Sequence, residues 1–142
     1  MRRILIGLAL AALPGCIPLG LWIYEDPKVE VTSVALDPAD ATFPVRLDLS
    51  LANANDFDVS MLRVELNVRV NGAPVVDRVV ESAAVFPARD KQIVQIGVAP
   101  GDLAPGARAA TLGTNGRRYS VDGYMVLKTP IGERRIPFTR SG

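Results

Sequence analysis

The feature that most constrains the fold is the stretch at residues 43–72, where two runs of alternating apolar and polar residues flank a short polar corner. It has the sequence FPVRLDLSLANANDFDVSMLRVELNVRVNG. Such alternation is the pattern of half-buried antiparallel strands. We therefore predict strands over residues 43–52 and 61–70, each burying one face against a second sheet. The residues predicted to be buried are Val45, Leu47, Leu49 and Leu51 in the first strand and Leu62, Val64, Leu66, Val68 and Val70 in the second.

Turn-forming residues divide the remaining sequence into further short strands. The polar corner at residues 53–56 suits a chain that leaves one sheet for the other, because Asn and Asp bond to nearby backbone groups. Asn71-Gly72 predicts a type I′ hairpin, which needs a positive φ at both central positions. The other strands are predicted at residues 28–36, 74–80, 91–98, 119–129 and 134–139.

Two strand residues and one loop carry further predictions. Pro74 indicates a strand at a sheet edge, and Gly123 indicates a bulge or a close backbone contact. Residues 99–117 form the longest predicted loop, with room for a helical turn near Leu103 or Ala109. The spacing of strands and turns predicts an all-β fold, a seven-stranded immunoglobulin or fibronectin-III-like antiparallel β-sandwich.

Composition narrows the classes of function. The chain of 142 residues contains no histidine and one cysteine, Cys16. This excludes Ser-His-Asp and Cys-His nucleophiles, an internal disulfide and a multi-cysteine metal site. Sixteen basic and 15 acidic residues give a net charge of +1, which is not the footprint of a nucleic-acid-binding protein. We predict a protein that is not an enzyme and has no cofactor, no metal and no nucleic-acid partner.

The amino-terminal residues have the layout of a secretory signal. Arg2 and Arg3 precede an apolar run at residues 4–13, and Pro14-Gly15 lead to Cys16. The stretch resembles a bacterial lipoprotein signal, in which the cysteine thiol receives diacylglycerol and becomes the new amino terminus. We therefore predict a signal peptide at residues 1–15, a tether at residues 16–27 and a folded domain at residues 28–140. The resemblance implies palmitate on Cys16 and, because Ile17 follows it, a periplasm-facing position at the outer membrane.

An uncleaved membrane helix is the alternative for this segment. Residues 4–24 contain no charged side chain and are long enough to span a bilayer, although prolines and glycines interrupt them. Both interpretations place the domain outside the cytoplasm, since the two arginines stay inside. Trp22 and Tyr24 suit either the headgroup layer or packing onto the end of the domain.

The predicted strands resemble the group 2 late embryogenesis abundant family, also described through its water stress and hypersensitive response domain. The likeness covers about residues 28–140 and is carried by the stretches at residues 47–72, 85–98 and 119–138. Its motif residues are Asn53, Asn55, Asn71 and Gly72. Ala54 departs from the proline usual in the corner. The resemblance implies a sandwich without a catalytic site and an association with desiccation and stress tolerance.

Three other groups of residues resemble functional sites. Asn53, Asn55, Asp56 and Asp58 offer oxygen ligands but lack the glycine and distal glutamate of a calcium loop, which favours a structural corner. Asp48 and Glu65 would be candidates for a carboxylate hydrolase, but both lie on predicted polar strand faces. Residues 105–142 hold seven basic and two acidic residues. This basic end would suit anionic headgroups, whereas scattered surface arginines are the simpler explanation.

These observations predict a non-enzymatic, lipid-anchored envelope protein with a stress-protective or interaction module. Its predicted partners are the membrane, through lipidated Cys16, and client or envelope proteins. The alternative is an accessory lipoprotein subunit of an envelope assembly or transport complex, docking through an exposed strand edge. The sequence gives no indication of the oligomeric state.

Overall fold

The computed structural model describes residues 23–107 and 118–142. These residues form a short 3-10 helix at Pro100–Asp102 and seven β-strands. The strands are β1 (Lys28–Leu36), β2 (Val45–Ala52), β3 (Val59–Val70), β4 (Ala73–Phe86), β5 (Lys91–Val98), β6 (Tyr119–Thr129) and β7 (Gly132–Ser141). They build a three-stranded sheet in the order β1-β2-β5 and a four-stranded sheet in the order β4-β3-β6-β7. Every pair is antiparallel, so the predicted seven-stranded β-sandwich is confirmed.

The core lies between the alternating apolar faces of the two sheets. The four residues predicted to be buried in β2 are fully buried, as are most of those predicted in β3. Strand β2 belongs to one sheet and β3 to the other, so the polar corner predicted at residues 53–56 carries the chain between sheets as predicted. In the structure the corner extends over residues 53–58. Burial of these aliphatic side chains is the main driving force for the sandwich.

The prediction for Leu62 was wrong. The pairing of β3 with both neighbours shifts register between Met61 and Arg63, which is a β-bulge at Leu62. Met61 is 1% exposed and takes the core position, whereas Leu62 is half-buried. An extra residue in a strand reverses the face that the preceding residues occupy.

Several strand ends differ from those predicted. Strand β2 begins at Val45 rather than at residue 43, because the Asp40 carboxylate accepts the N–H groups of Thr42 and Phe43, each at 2.9 Å, and holds a turn there. Strand β3 begins two residues earlier than predicted. This gives β4 a partner as far as residue 86, six residues beyond its predicted end. Strand β7 is longer at both ends.

Three further expectations concern single residues. Pro74 lies in β4, an edge strand, as predicted. Gly123 makes the close contact that was one of its two predicted roles. A methyl group there would collide with the carbonyl oxygen of Glu65 and lie 2.9 Å from Cζ of Phe138. The 3-10 helix ends directly before Leu103, whereas Ala109 lies outside the described residues.

The strand directions define two ends of the sandwich. What we call the tether end holds residues 23–27, the corner at residues 53–58 and the turns at residues 87–90 and 130–131. The far end holds residues 37–44, the hairpin at Asn71-Gly72 and residues 99–107. The nine residues of β1 separate the two ends by about 30 Å.

Candidate functional site

Two buried asparagines organise the tether end. Asn53 and Asn55 are 2% and 3% exposed. The amide nitrogen of Asn53 donates to the carbonyl oxygens of Phe57 at 2.8 Å, Phe86 at 3.3 Å and Pro87 at 3.2 Å. Its Oδ1 accepts the backbone N–H of Asn55 at 3.1 Å and the side-chain amide of Asn55 at 3.0 Å. A buried polar group is tolerated only when it is bonded in this way.

Asn55 binds the chain that precedes the sandwich. Its Oδ1 accepts the backbone N–H of Glu25 at 2.9 Å, and its Nδ2 donates to the carbonyl oxygen of Glu25 at 2.7 Å. The side-chain amide thus pairs with Glu25 as a neighbouring strand residue would. The backbone carbonyl of Asn55 also accepts the N–H of Arg89 at 3.0 Å, which links the turn between β4 and β5 to the same corner.

Side chains on both sides of Glu25 strengthen this attachment. The Tyr24 ring stacks on Phe57 with centroids 6.3 Å apart, and the Arg134 guanidinium lies 5.7 Å from the Tyr24 centroid. Arg134 also makes a bidentate hydrogen bond to the Asp26 carboxylate, at 3.0 and 2.8 Å.

These contacts shift two pKa values. Burial, helped by the neighbouring Asp26, raises the pKa of Tyr24 to about 12. The hydrogen bonds from Arg134 lower the pKa of Asp26. We call Tyr24, Asp26, Asn55, Phe57 and Arg134 the tether clamp.

The two aspartates of the corner have separate partners. Asp56 pairs with Nε of Arg89 at 2.6 Å, which lowers the pKa of the carboxyl. Asp58 accepts the N–H of Ala88 at 3.0 Å. Arg89 has a φ of 58°, a left-handed conformation that this turn requires. The side-chain oxygens of Asn53, Asn55, Asp56 and Asp58 therefore do not converge on one point, as the ligands of a calcium ion would. Their contacts are those of a structural corner.

The hairpin motif stands at the far end. Asn71 and Gly72 have φ values of 51° and 80°, as the predicted type I′ turn requires. Asn71 bonds twice to Arg118: its backbone N–H donates to the Arg118 carbonyl at 2.7 Å, and its Oδ1 accepts the Arg118 N–H at 3.0 Å. The structure thus brings Asn53 and Asn55 together and leaves Asn71 and Gly72 at the other end of the 12-residue strand β3.

The arginines of the predicted basic end bond within the domain. Arg135 pairs with Glu65 at 2.6 Å and lies 4.1 Å from the centroid of Tyr124. Arg140 donates to the carbonyl of Val31 at 2.9 Å, across the gap between the sheets. Together with Arg134 in the tether clamp, these contacts support the simpler explanation of scattered structural arginines. Arg108 and Arg117 lie outside the described residues.

The amino-terminal predictions fall on another part of the chain. Cys16, Trp22 and the rest of residues 1–22 lie outside the described residues. Within residues 23–107 and 118–142, no helix is long and apolar enough to cross a membrane, and no three acidic or cysteine side chains gather as metal ligands would. Of the two roles considered for Tyr24, packing onto the domain is the one observed.

Sequence reasoning found the asparagine corner but missed the clamp. Nothing in the sequence links Glu25 to Asn55, or Asp26 to Arg134, because these partners are 30 and 108 residues apart. The one available signal was the motif itself: two asparagines in an apolar setting need partners for their amides.

The fold and this site define a class of protein, an antiparallel β-sandwich whose amino-terminal segment is fastened to one end by a buried asparagine pair. The family model described as late embryogenesis abundant protein, LEA_2, matches residues 48–142. The chain belongs to this family. The match begins inside β2 and includes both asparagine motifs.

Solved structures show the same fold. A protein from Archaeoglobus fulgidus has a TM-score of 0.52 at 13% identity, over 83% of this chain and 93% of that one. AT1g01470 from Arabidopsis thaliana has a TM-score of 0.59 at 19% identity, over 83% and 80%. A putative late embryogenesis abundant protein, At2g46140.1, has a TM-score of 0.55 at 11% identity, over 82% and 69%. Identities this low show a shared fold alone. No curated protein matches the sequence.

Proposed function

We propose that this protein is a lipid-anchored, non-enzymatic component of the cell envelope whose sandwich acts as a stress-protective or interaction module. The observation that carries the proposal is the tether clamp. Asn55 and Arg134 hold residues 24–26 against the sandwich. A fixed attachment of this segment is what a domain carried on a short anchored tether would need.

The anchor itself is tested at Cys16. A thioether to diacylglycerol needs the cysteine sulfur, so cells fed a palmitate analogue are expected to label the wild-type protein and not Cys16→Ser. Serine is close to cysteine in shape but has no sulfur and cannot form the thioether. Equal labelling of both proteins would refute lipidation at this residue. Fractionation of the labelled envelope then tests the outer-membrane assignment.

The proposal of a non-enzymatic role is supported by what the charged side chains do. The chain has no histidine to act as a general base near neutral pH. Glu65, one of the two carboxylates considered for hydrolysis, is paired with Arg135 at 2.6 Å. Asp48, the other, is contacted by the Gln95 amide at 3.4 Å on the outer face of the three-stranded sheet. Strand β2, which carries Asp48, and strand β3, which carries Glu65, belong to different sheets. These two carboxylates therefore do not face each other as an acid–base pair would.

Protection is tested with a client enzyme that aggregates on heating or loses activity on drying. The purified full chain is expected to reduce aggregation in proportion to its concentration. An equal mass of an unrelated β-sandwich domain is the control for crowding. If both proteins protect equally, or neither does, the protective role is refuted.

A second candidate, an accessory subunit of an envelope assembly, is favoured by the surface of β4. This strand is outermost in its sheet, and Val79 and Val85 on it are 51% and 57% exposed. An apolar edge strand can accept a strand from a partner. Crosslinking in the native membrane is expected to capture one stoichiometric partner, and Val85→Lys should abolish the capture, because a lysine blunts an edge. Unchanged capture by the variant would refute docking at this edge.

A further inference from the structure

Two isoleucines are exposed at the tether end. Ile131 is at the tip of the turn between β6 and β7 and is 58% exposed, and Ile23, at the start of the described chain, is 72% exposed. Single exposed apolar side chains are common on soluble surfaces. What distinguishes this pair is its place, on the end of the sandwich that receives the tether.

The Ile131 turn is held rigid by its own residues. The hydroxyl of Thr129 donates to the Gly132 carbonyl at 2.7 Å and accepts the N–H of Ile131 at 3.3 Å. A few residues further along β7, Arg134 bonds to Asp26 in the tether clamp. The turn and the chain that follows Ile23 are therefore fastened to each other at the same end of the sandwich.

The length of chain before Ile23 limits how far this end can lie from an anchor. Ile23 is seven positions after Cys16, and a fully extended chain covers this separation in about 25 Å. This is less than the roughly 30 Å between the two ends of the sandwich. If the anchor is instead an uncleaved helix ending near Tyr24, the distance is shorter still. In either case the anchor would lie closer to the tether end than to the far end.

Two carboxylates of the tether end are neutralised by arginines. Asp26 is paired with Arg134 and Asp56 with Arg89, at 2.8 and 2.6 Å. Removing water costs less free energy for a paired charge than for a lone charge. An apolar tip beside two such paired carboxylates fits the boundary between headgroups and acyl chains, where interfacial side chains insert.

We infer that the tether end of the sandwich rests on the lipid surface, with Ile131 and Ile23 inserted at the headgroup boundary. This inference depends on the membrane anchor proposed above. It gives the domain a fixed orientation, with the Asn71-Gly72 hairpin and residues 99–107 directed away from the membrane, towards clients or partners.

The test measures contact with lipid at two single positions. Ile131→Cys and Ala41→Cys are labelled with a bimane fluorophore in the full-length protein, which is then reconstituted through its anchor. The vesicles contain phosphatidylethanolamine and phosphatidylglycerol, with or without a lipid carrying a nitroxide on its headgroup. Ala41 is the matched control, because it is exposed in a loop at the far end. We expect nitroxide lipid to quench the label at position 131 roughly twofold or more, since an interfacial group lies only about 5–10 Å into the boundary. We expect no quenching at position 41.

Other results would overturn the inference in distinguishable ways. If the protein stays with the vesicles and both positions are quenched alike, or neither is, the orientation is wrong and the anchor stands. A partner protein or a second copy covering Ile131 would give this second pattern, with neither position quenched. If the protein does not stay with the vesicles and the wild type takes up no palmitate analogue, the anchor is wrong and the inference is lost with it.

Discussion

Replacing Asn55 by alanine should detach the tether from the sandwich without unfolding it. Asn55 makes two side-chain bonds to the Glu25 backbone and one to Oδ1 of Asn53. At about 1 kcal/mol net for each bond, the loss is about 3 kcal/mol. Glu25 is exposed, so water recovers part of this once the segment detaches. We therefore expect the free energy of unfolding to fall by about 2–3 kcal/mol.

Two measurements separate detachment from general damage. Urea unfolding gives the change in free energy, and hydrogen exchange at the Glu25 amide reports whether the clamp is closed. Because Asn55 Oδ1 is the acceptor for that amide, its exchange should become much faster in Asn55→Ala than in the wild type. Amides of the central strand β3 should keep their relative order of protection.

Asn55→Asp tests which half of the amide matters. Aspartate keeps the acceptor for the Glu25 N–H but places an oxygen where Nδ2 now donates to the Glu25 carbonyl and to Asn53. Two acceptors then face each other in a buried site, and the cost should equal or exceed that of alanine near neutral pH. Lowering the pH should recover part of it, because a protonated carboxyl can donate again.

Asn67→Ala is the matched control, an asparagine on the outer face of β3 that is half-exposed. Its change should stay within about 0.5 kcal/mol of the wild type. The reasoning is refuted if Asn55→Ala unfolds with the same free energy as this control and the Glu25 amide remains slow to exchange.

Three more expectations follow from the geometry. Gly123→Ala should lower the free energy of unfolding in urea by about 2–3 kcal/mol, because the added methyl group would collide with a backbone carbonyl. In the control Gly101→Ala the methyl group meets nothing within 4 Å and the free energy should hardly change; equal losses would contradict the close contact at Gly123. Met61→Ala should lower the free energy of unfolding by about 2–4 kcal/mol and Leu62→Ala by clearly less, since the bulge puts Met61 in the core. A larger loss in Leu62→Ala than in Met61→Ala would disprove the bulge. For Tyr24, the folded pKa of about 12 lies above the ordinary tyrosine value of about 10. The folded state therefore holds this proton more tightly, and stability present below about pH 10 should be lost as the pH rises towards 12. The free energy of unfolding, measured between about pH 10 and pH 12, should fall less in Tyr24→Phe than in the wild type. An equal fall in both proteins would show that other groups, and not Tyr24, cause it.

Much of the fold could be predicted because its signals are local. Alternation along β2 follows from the two-residue period of a strand, and the hairpin at Asn71-Gly72 follows from the backbone angles that those residues tolerate. Even so, periodicity alone does not show an inserted residue. The bulge at Leu62 became visible only when β3 was paired with β4 and β6.

The sequence by itself determined the strand pattern, the corner with its two asparagines and the absence of histidine chemistry, since each depends on residue type and near neighbours. Only the tertiary structure decided what the asparagines bind. Asn55 meets Glu25, and Arg134 meets Asp26, because the strands return the chain to the same end of the sandwich. These contacts join residues that are far apart in sequence, and a single sequence carries no signal of such pairing until the sheets are assembled.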